Sequence, residues 1–145
     1  MMNKLFPIIL ALFFIGCDSI TSEEETCDYC YMQIEAPALQ MDSNGFYHLE
    51  VDSNSIQTFT QLRAYIGYEC EYVGWTTDTY FQGCIWGECE DVPIVNGAGY
   101  SSSDGYAYQM LGVYPENIGD SATIWAGYYD NYGNQWLDSI KVIID

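Results

Sequence analysis

Basic side chains are nearly missing from this chain, where 3 Lys+Arg face 21 Asp+Glu for a formal net charge of −18. A sequence-independent nucleic-acid binder needs clustered Lys and Arg to displace counterions, so that class is excluded. The same charge argues against docking on anionic lipid through protein side chains. Histidine occurs once, as His48 between Tyr47 and Leu49, and no Gly-x-Ser-x-Gly elbow accompanies it. Triad chemistry therefore lacks its parts. A phosphate-cradling loop is missing too, because Asn96-Gly97-Ala98-Gly99 has no helical pattern after it to aim backbone amides. Long apolar runs of 3.6 period do not occur, which argues against a helical bundle.

What is present is apolar and aromatic. The 145 residues are 49% hydrophobic and 17% aromatic, with 14 tyrosines and 13 glycines. That length fits one domain. The composition is too rich in buriable side chains for a disordered acidic tail.

The N-terminal segment carries the clearest address. Lys4 precedes an uncharged run from Leu5 to Ile15, which ends in Phe14-Ile15-Gly16-Cys17. A basic start, a short apolar stretch and a small residue before the cut describe a secretory signal, whereas a spanning helix needs roughly 20 apolar residues. The segment resembles the lipobox signal of bacterial lipoproteins, with Phe14 at the −3 position where Leu is usual. The resemblance implies cleavage after Gly16, a signal peptide of residues 1–16 and acylation of Cys17. Two or three acyl chains, at about 0.8 kcal/mol per buried methylene, hold a soluble domain at a bilayer. Residues 17–31 then form an acidic tether, with Asp18, Glu23, Glu24, Glu25 and Asp28. Ser22-Glu23-Glu24-Glu25 resembles the acidic export signal of surface-displayed lipoproteins, and it also reads as a solvated linker kept extended by its charge. Asp18 resembles an inner-membrane retention signal of other groups. The expected location is the cell envelope, lipid-anchored, with outer membrane or cell surface favoured over the inner membrane.

Residues 32–145 read as an all-β domain. Segments rich in Tyr, Phe, Thr, Val and Ile alternate with Asn/Asp/Ser/Gly turns. The pattern predicts strands near 31–41, 46–52, 57–67, 71–81, 105–114, 121–130 and 134–144. Asp42-Ser43-Asn44-Gly45, Asp52-Ser53-Asn54-Ser55 and Asn131-Tyr132-Gly133-Asn134 carry turn chemistry. About seven strands imply an antiparallel sandwich. Ala122, Ile124, Ala126 and Tyr128 share one face of their strand; Trp136, Ile140, Val142 and Ile144 share another, with Asp138 as the exception. Trp75 is placed like the buried strand-C Trp of immunoglobulin-type sandwiches, and Gly119–Ile124 resembles the turn into their strand F. The domain thus resembles Ig-like domains of bacterial surface proteins. Ile124 stands where the corner tyrosine would be, and Ala126 at the second cysteine position.

Beyond Cys17, the chain holds Cys27, Cys30, Cys70, Cys84 and Cys89. Export makes disulfides the default. Cys84 and Cys89 bracket Ile85-Trp86-Gly87-Glu88, which favours a bridge between them, although Cys70 competes for either. Cys27-Asp28-Tyr29-Cys30 lies among acids that raise thiol pKa values, against a catalytic redox centre. A zinc site from Cys27, Cys30, Cys84 and Cys89 is the other sharp reading, and a structural loop disulfide is the plainer one. No cofactor is expected. Calcium has weak candidate ligands in Asp42, Asn44, Asp130 and Asn131, whose alternative is plain β-turn duty.

Alternation also defines an outer face. If Ile124 and Trp75 point inward, Tyr72, Trp125, Tyr129 and Leu137 point outward over Gly74 and Gly127. Such a patch marks an interaction site, whereas packing of Trp125 beneath the linker or the Cys84 loop is the rival reading. The expected function is a non-catalytic binding or structural module of the envelope, for adhesion or partner recognition. The alternatives are a carbohydrate-binding accessory domain and an envelope enzyme or thiol redox protein. The expected partners are the membrane, through the N-terminal lipid, and an envelope protein or glycan.

Overall fold

Side-chain alternation builds the body of the protein, which a computed structural model describes over residues 32–69 and 71–145. The signal segment 1–16, the tether 17–31 and Cys70 lie outside the described residues. Eleven strands follow in order: β1 (Gln33–Glu35), β2 (Gln40–Met41), β3 (Tyr47–Leu49), β4 (Thr58–Tyr65), β5 (Tyr72–Thr77), β6 (Tyr80–Ile85), β7 (Glu88–Pro93), β8 (Gly97–Tyr100), β9 (Tyr106–Val113), β10 (Ser121–Tyr129) and β11 (Gln135–Ile144). A 3-10 turn at Pro115–Asn117 joins β9 to β10.

One sheet has the order β1-β4-β9, and the second has the order β2-β3-β11-β10-β5-β8. All pairings within them are antiparallel except β3 with β11. The first sheet contributes Ile34, Leu62, Ala64, Ala107, Leu111 and Val113 to the core; the second contributes Leu49, Val73, Trp75, Ala122, Ile124, Ala126, Tyr128, Val142 and Ile144. This is the all-β sandwich that the alternation pattern implies, and its Ig-like character is the one the Trp75 and Gly119–Ile124 resemblance implies. β5, β10 and β11 lie side by side as strands C, F and G of such a domain, and Trp75 is buried on the strand-C equivalent.

Among the described residues there are eleven strands rather than about seven, for local reasons. Segment 31–41 splits at Pro37, where the chain leaves β1 in the first sheet and turns through the Leu39 N–H to Ala36 carbonyl bond to reach β2 in the second. Proline cannot donate to a ladder, so the break falls there. Segment 71–81 splits at Asp78-Thr79. Asp78 accepts the Thr123 N–H at 2.7 Å and donates its own N–H to the Thr123 carbonyl, and β6 then departs from the sheet. β6 and β7 pair only with each other and neither holds a fully buried residue, so no strong apolar alternation announces them. β8 is Gly-Ala-Gly-Tyr, with almost no side chains to read.

The turns follow their side chains. Asp42, Asp52 and Asp130 each accept, through Oδ1, the backbone N–H two residues on, from Asn44, Asn54 and Tyr132. Asp104 does the same for Tyr106. These are Asx-turns, and they close the loops from within. Asp138, the inward exception on β11, has a structural role. Its Oδ2 accepts the Ile34 N–H at 2.7 Å, tying edge strand β1 of one sheet to β11 of the other.

Candidate functional site

The second sheet presents an open outer face, and the register sets out its floor. Gly127 of β10 pairs with Leu137 of β11 on one side and with Gly74 of β5 on the other, and Gly74 pairs with Ala98 of β8. Three small residues in a row across three strands leave a shallow trough. Two positions along β10 and β5, Tyr129 and Tyr72 share this outer face, and Tyr72 pairs with Tyr100. In the other direction Trp125 stands opposite Thr76 and Ser139. Tyr129 and Trp125, four residues apart on β10, set the walls roughly 13 Å from each other.

Tyr72, Tyr100, Tyr129 and Leu137 are 57–66% exposed. Trp125 is half-buried, so it forms a wall rather than a free ring. The sequence-derived set of Tyr72, Trp125, Tyr129 and Leu137 is brought to one face, and Tyr100 joins it. Leu137 leans over the floor: a Cβ added at Gly127 would meet Leu137 Cδ1 at 3.0 Å and the Trp136 carbonyl at 3.1 Å. Gly74 has more room, since its added Cβ would meet only the Gly127 carbonyl, at 3.9 Å. The Tyr72 and Tyr100 ring centroids are 5.1 Å apart, and the planes are tilted by 59°.

Charge near the trough is fixed by the loops around it. Trp136 Nε1 and Asn134 Nδ2 donate to Asp130 Oδ2, at 3.0 and 2.9 Å. These bonds, with the backbone amides of Asn134 and Tyr132, hold the Asp130 carboxyl down at about 2. Beneath the trough, burial pushes the Tyr128 hydroxyl up to about 12, with Glu71 and Asp130 adding to the effect. The two described basic side chains are engaged elsewhere. Arg63 Nη2 pairs with Glu35 Oε2 at 2.7 Å and its guanidinium lies over Tyr106, while Lys141 sits over the Phe46 ring.

The β6–β7 ribbon is a second feature. Cys84 and Cys89 face each other in the register and are bridged, as their spacing suggests. Ile85 pairs with Glu88, so the loop is the two residues Trp86 and Gly87, with φ of 58° and 89°. Left-handed backbone at both loop positions is the type I′ hairpin turn, which favours Asn-Gly or Gly-Gly. Trp86 in this region costs about 1–2 kcal/mol. It is also 99% exposed. Sequence reasoning assigned Trp86 no role; the available signal was a Trp-Gly pair midway between two bridging cysteines. Cys17, Cys27, Cys30 and Cys70 lie outside the described residues.

The calcium candidates have other work. Asp42 Oδ1 accepts N–H groups from Asn44 and Phe46, at 2.8 and 2.9 Å, while its Oδ2 faces His48 Nε2 at 3.5 Å. Asp130 binds four donors in its own loop, and Asn44 and Asn131 bring no second carboxylate to either turn. Among the described residues, no group of three or more His, Cys, Asp or Glu could hold a metal ion. His48 Nδ1 meets Asp145 Oδ2 at 2.7 Å, and that bond, with the weaker one to Asp42, raises its pKa above the ordinary value. It sits beside Ile143 on β11, roughly 20 Å along the strand from Leu137.

No protein-family model and no curated protein matches the chain. Among solved structures, it is similar to a superoxide reductase (neelaredoxin) from Ignicoccus hospitalis at 12% identity and a TM-score of 0.45, over 79% of this chain and 80% of that one. A substituted form of the same Ignicoccus hospitalis protein is similar at 12% identity and a TM-score of 0.44, over 80% of this chain and 81% of the other.

Proposed function

We propose that this protein is a lipid-anchored, non-catalytic binding module of the bacterial cell envelope, which engages a protein partner across the outer face of its second sheet. The observation that carries the reading is the trough: small residues at Gly127, Gly74 and Ala98, walled by Tyr129, Tyr72 and Tyr100 on one side and Trp125 on the other. Monomers rarely leave contiguous apolar surface exposed without a use. Tyrosine combines a large contact area with a polar tip, which suits a surface that is wet when free. A protein ridge fits this shape better than a sugar does. Tyr72 and Tyr100 are inclined by 59°, so the two rings form no single flat platform along which an extended glycan could lie. The trough residues include no cation, so anionic ligands are disfavoured. His48, held between Asp42 and Asp145 and distant from the trough, supplies no base to it.

Anchoring rests on the lipobox-like Phe14-Ile15-Gly16-Cys17, and palmitate-analogue labelling that depends on Cys17 tests it. The trough is tested with Gly74→Thr, whose Cβ would meet only the Gly127 carbonyl, at 3.9 Å, and whose branches add bulk to the floor. The full chain is assayed for retention on immobilised envelope proteins and, in parallel, on insoluble neutral polysaccharides. Wild type is expected on the former, with Gly74→Thr folded at or above the wild-type melting temperature yet released. Equal retention of both forms, or retention on polysaccharide alone, overturns the reading.

A further inference from the structure

The β6–β7 ribbon is an arm whose tip has no role in the fold. It pairs with neither sheet, and an isolated two-stranded ribbon is marginal in water. Two devices make it rigid. At its root, the buried Asn117 donates through Nδ2 to the Tyr80 carbonyl at 3.1 Å, the Gln82 N–H donates to Glu116 Oε1 at 3.0 Å, and the Phe81 ring packs 4.2 Å from that of Tyr114. At its tip, the Cys84–Cys89 bridge closes the last pairs before the turn. Beyond the bridge stand Ile85, 71% exposed, and Trp86, 99% exposed. A turn that favours Asn or Gly carries a large aromatic side chain instead, in left-handed backbone, and leaves it in water. Stability does not explain this residue.

We propose that the ribbon tip is a docking finger, with Trp86 as the anchor, for a protein that offers an apolar pocket rimmed by Lys and Arg. The pocket follows from the ring: Trp is among the side chains most enriched at positions that dominate binding energy. Prior fixation by turn and bridge removes the ordering cost that a flexible loop would meet on binding. The rim follows from charge. Glu88, Glu90 and Asp91 are exposed beside the tip, and residues 80–93 contain no Lys or Arg. The same acids repel anionic lipid, and a net charge of −18 opposes a second copy of the chain. The finger is a separate surface from the trough and stands or falls independently of it.

The test places the photo-crosslinking residue p-benzoylphenylalanine at the exposed position 85, beside an intact Trp86, of the full chain in its own envelope. Any protein adduct is identified by mass spectrometry, purified and titrated against wild type, Trp86→Gly and the pair Glu88→Lys/Glu90→Lys. Glycine suits the left-handed turn, so Trp86→Gly keeps the hairpin, and an intact Cys84–Cys89 bridge by peptide mass confirms it; Trp86→Asn serves if it does not. The expected result is one protein whose affinity falls at least 30-fold with Trp86→Gly and at least 5-fold with the charge reversal, the wild-type affinity weakening as salt rises. Crosslinking to lipid, to glycan, to a second copy or to nothing overturns the proposal. So does an adduct protein whose affinity Trp86→Gly leaves unchanged, or a shift of Trp86→Gly-sensitive binding to phosphatidylcholine vesicles.

Discussion

Asp138→Ala removes a side-chain hydrogen bond that ties the two sheets together, and its cost can be worked from the surroundings. The acceptor lost is Asp138 Oδ2, which lies 2.7 Å from the Ile34 N–H. Ile34 is 2% exposed, so water does not replace that acceptor without opening the edge of the sandwich. Hydrogen bonds to charged groups contribute about 1.5–3 kcal/mol, and a buried unpaired amide costs about 1–3 kcal/mol. The half-buried carboxylate itself is partly desolvated, so its removal returns some of that cost. A net loss of about 1.5 kcal/mol is expected, which lowers the melting temperature by roughly 6 °C for a domain of this size. Asp138→Asn keeps an oxygen in the same place and is expected to lose less than half as much. Thermal denaturation followed by circular dichroism reads the stability, and hydrogen exchange at the Ile34 amide reads the bond. An Asp138→Ala protein within about 0.5 kcal/mol of wild type, with that amide still protected, would show that the inward carboxylate is incidental.

Thr60→Val is expected to stabilise the protein by about 1 kcal/mol, because the buried Thr60 Oγ1 has no hydrogen-bond partner; urea denaturation giving no gain refutes it. Asp130→Asn is expected to lower stability at neutral pH, with the difference from wild type vanishing in acid. The folded carboxyl titrates at about 2 against an ordinary 3.8, so its contribution is present above about 4 and is lost as pH falls through about 2. Urea melts of both proteins across that window read the difference, and a pH-independent gap contradicts the loop bonds assigned to this residue.

The core was legible because one face of each long strand is buried. Alternation set the inward positions Ala122, Ile124, Ala126 and Tyr128 correctly, and all four are buried. The same reasoning placed Tyr72, Tyr129 and Leu137 outside, where they stand. Tyr100 escaped because β8 has glycines at two of its four positions and so carries no period of its own. Asp138 broke the pattern visibly, but its partner Ile34 is 104 residues away, and no local rule connects the two.

The ribbon failed to register for the opposite reason. A period-2 signal reports burial of one face, and β6 and β7 hold no fully buried residue, so little in their sequence distinguishes them from loop. Their form comes from pairing across the Trp86-Gly87 turn and from a bridge between residues five apart. This has a consequence for where function is found in the chain. Packing of the core accounts for Trp75, which the sandwich buries, but not for Trp86, which the sandwich leaves in water. Exposed aromatic residues on segments without a burial pattern are therefore the ones that folding does not require. Both Tyr100 and Trp86 belong to such segments, where they flank the trough and cap the ribbon, the two surfaces proposed above to meet a partner.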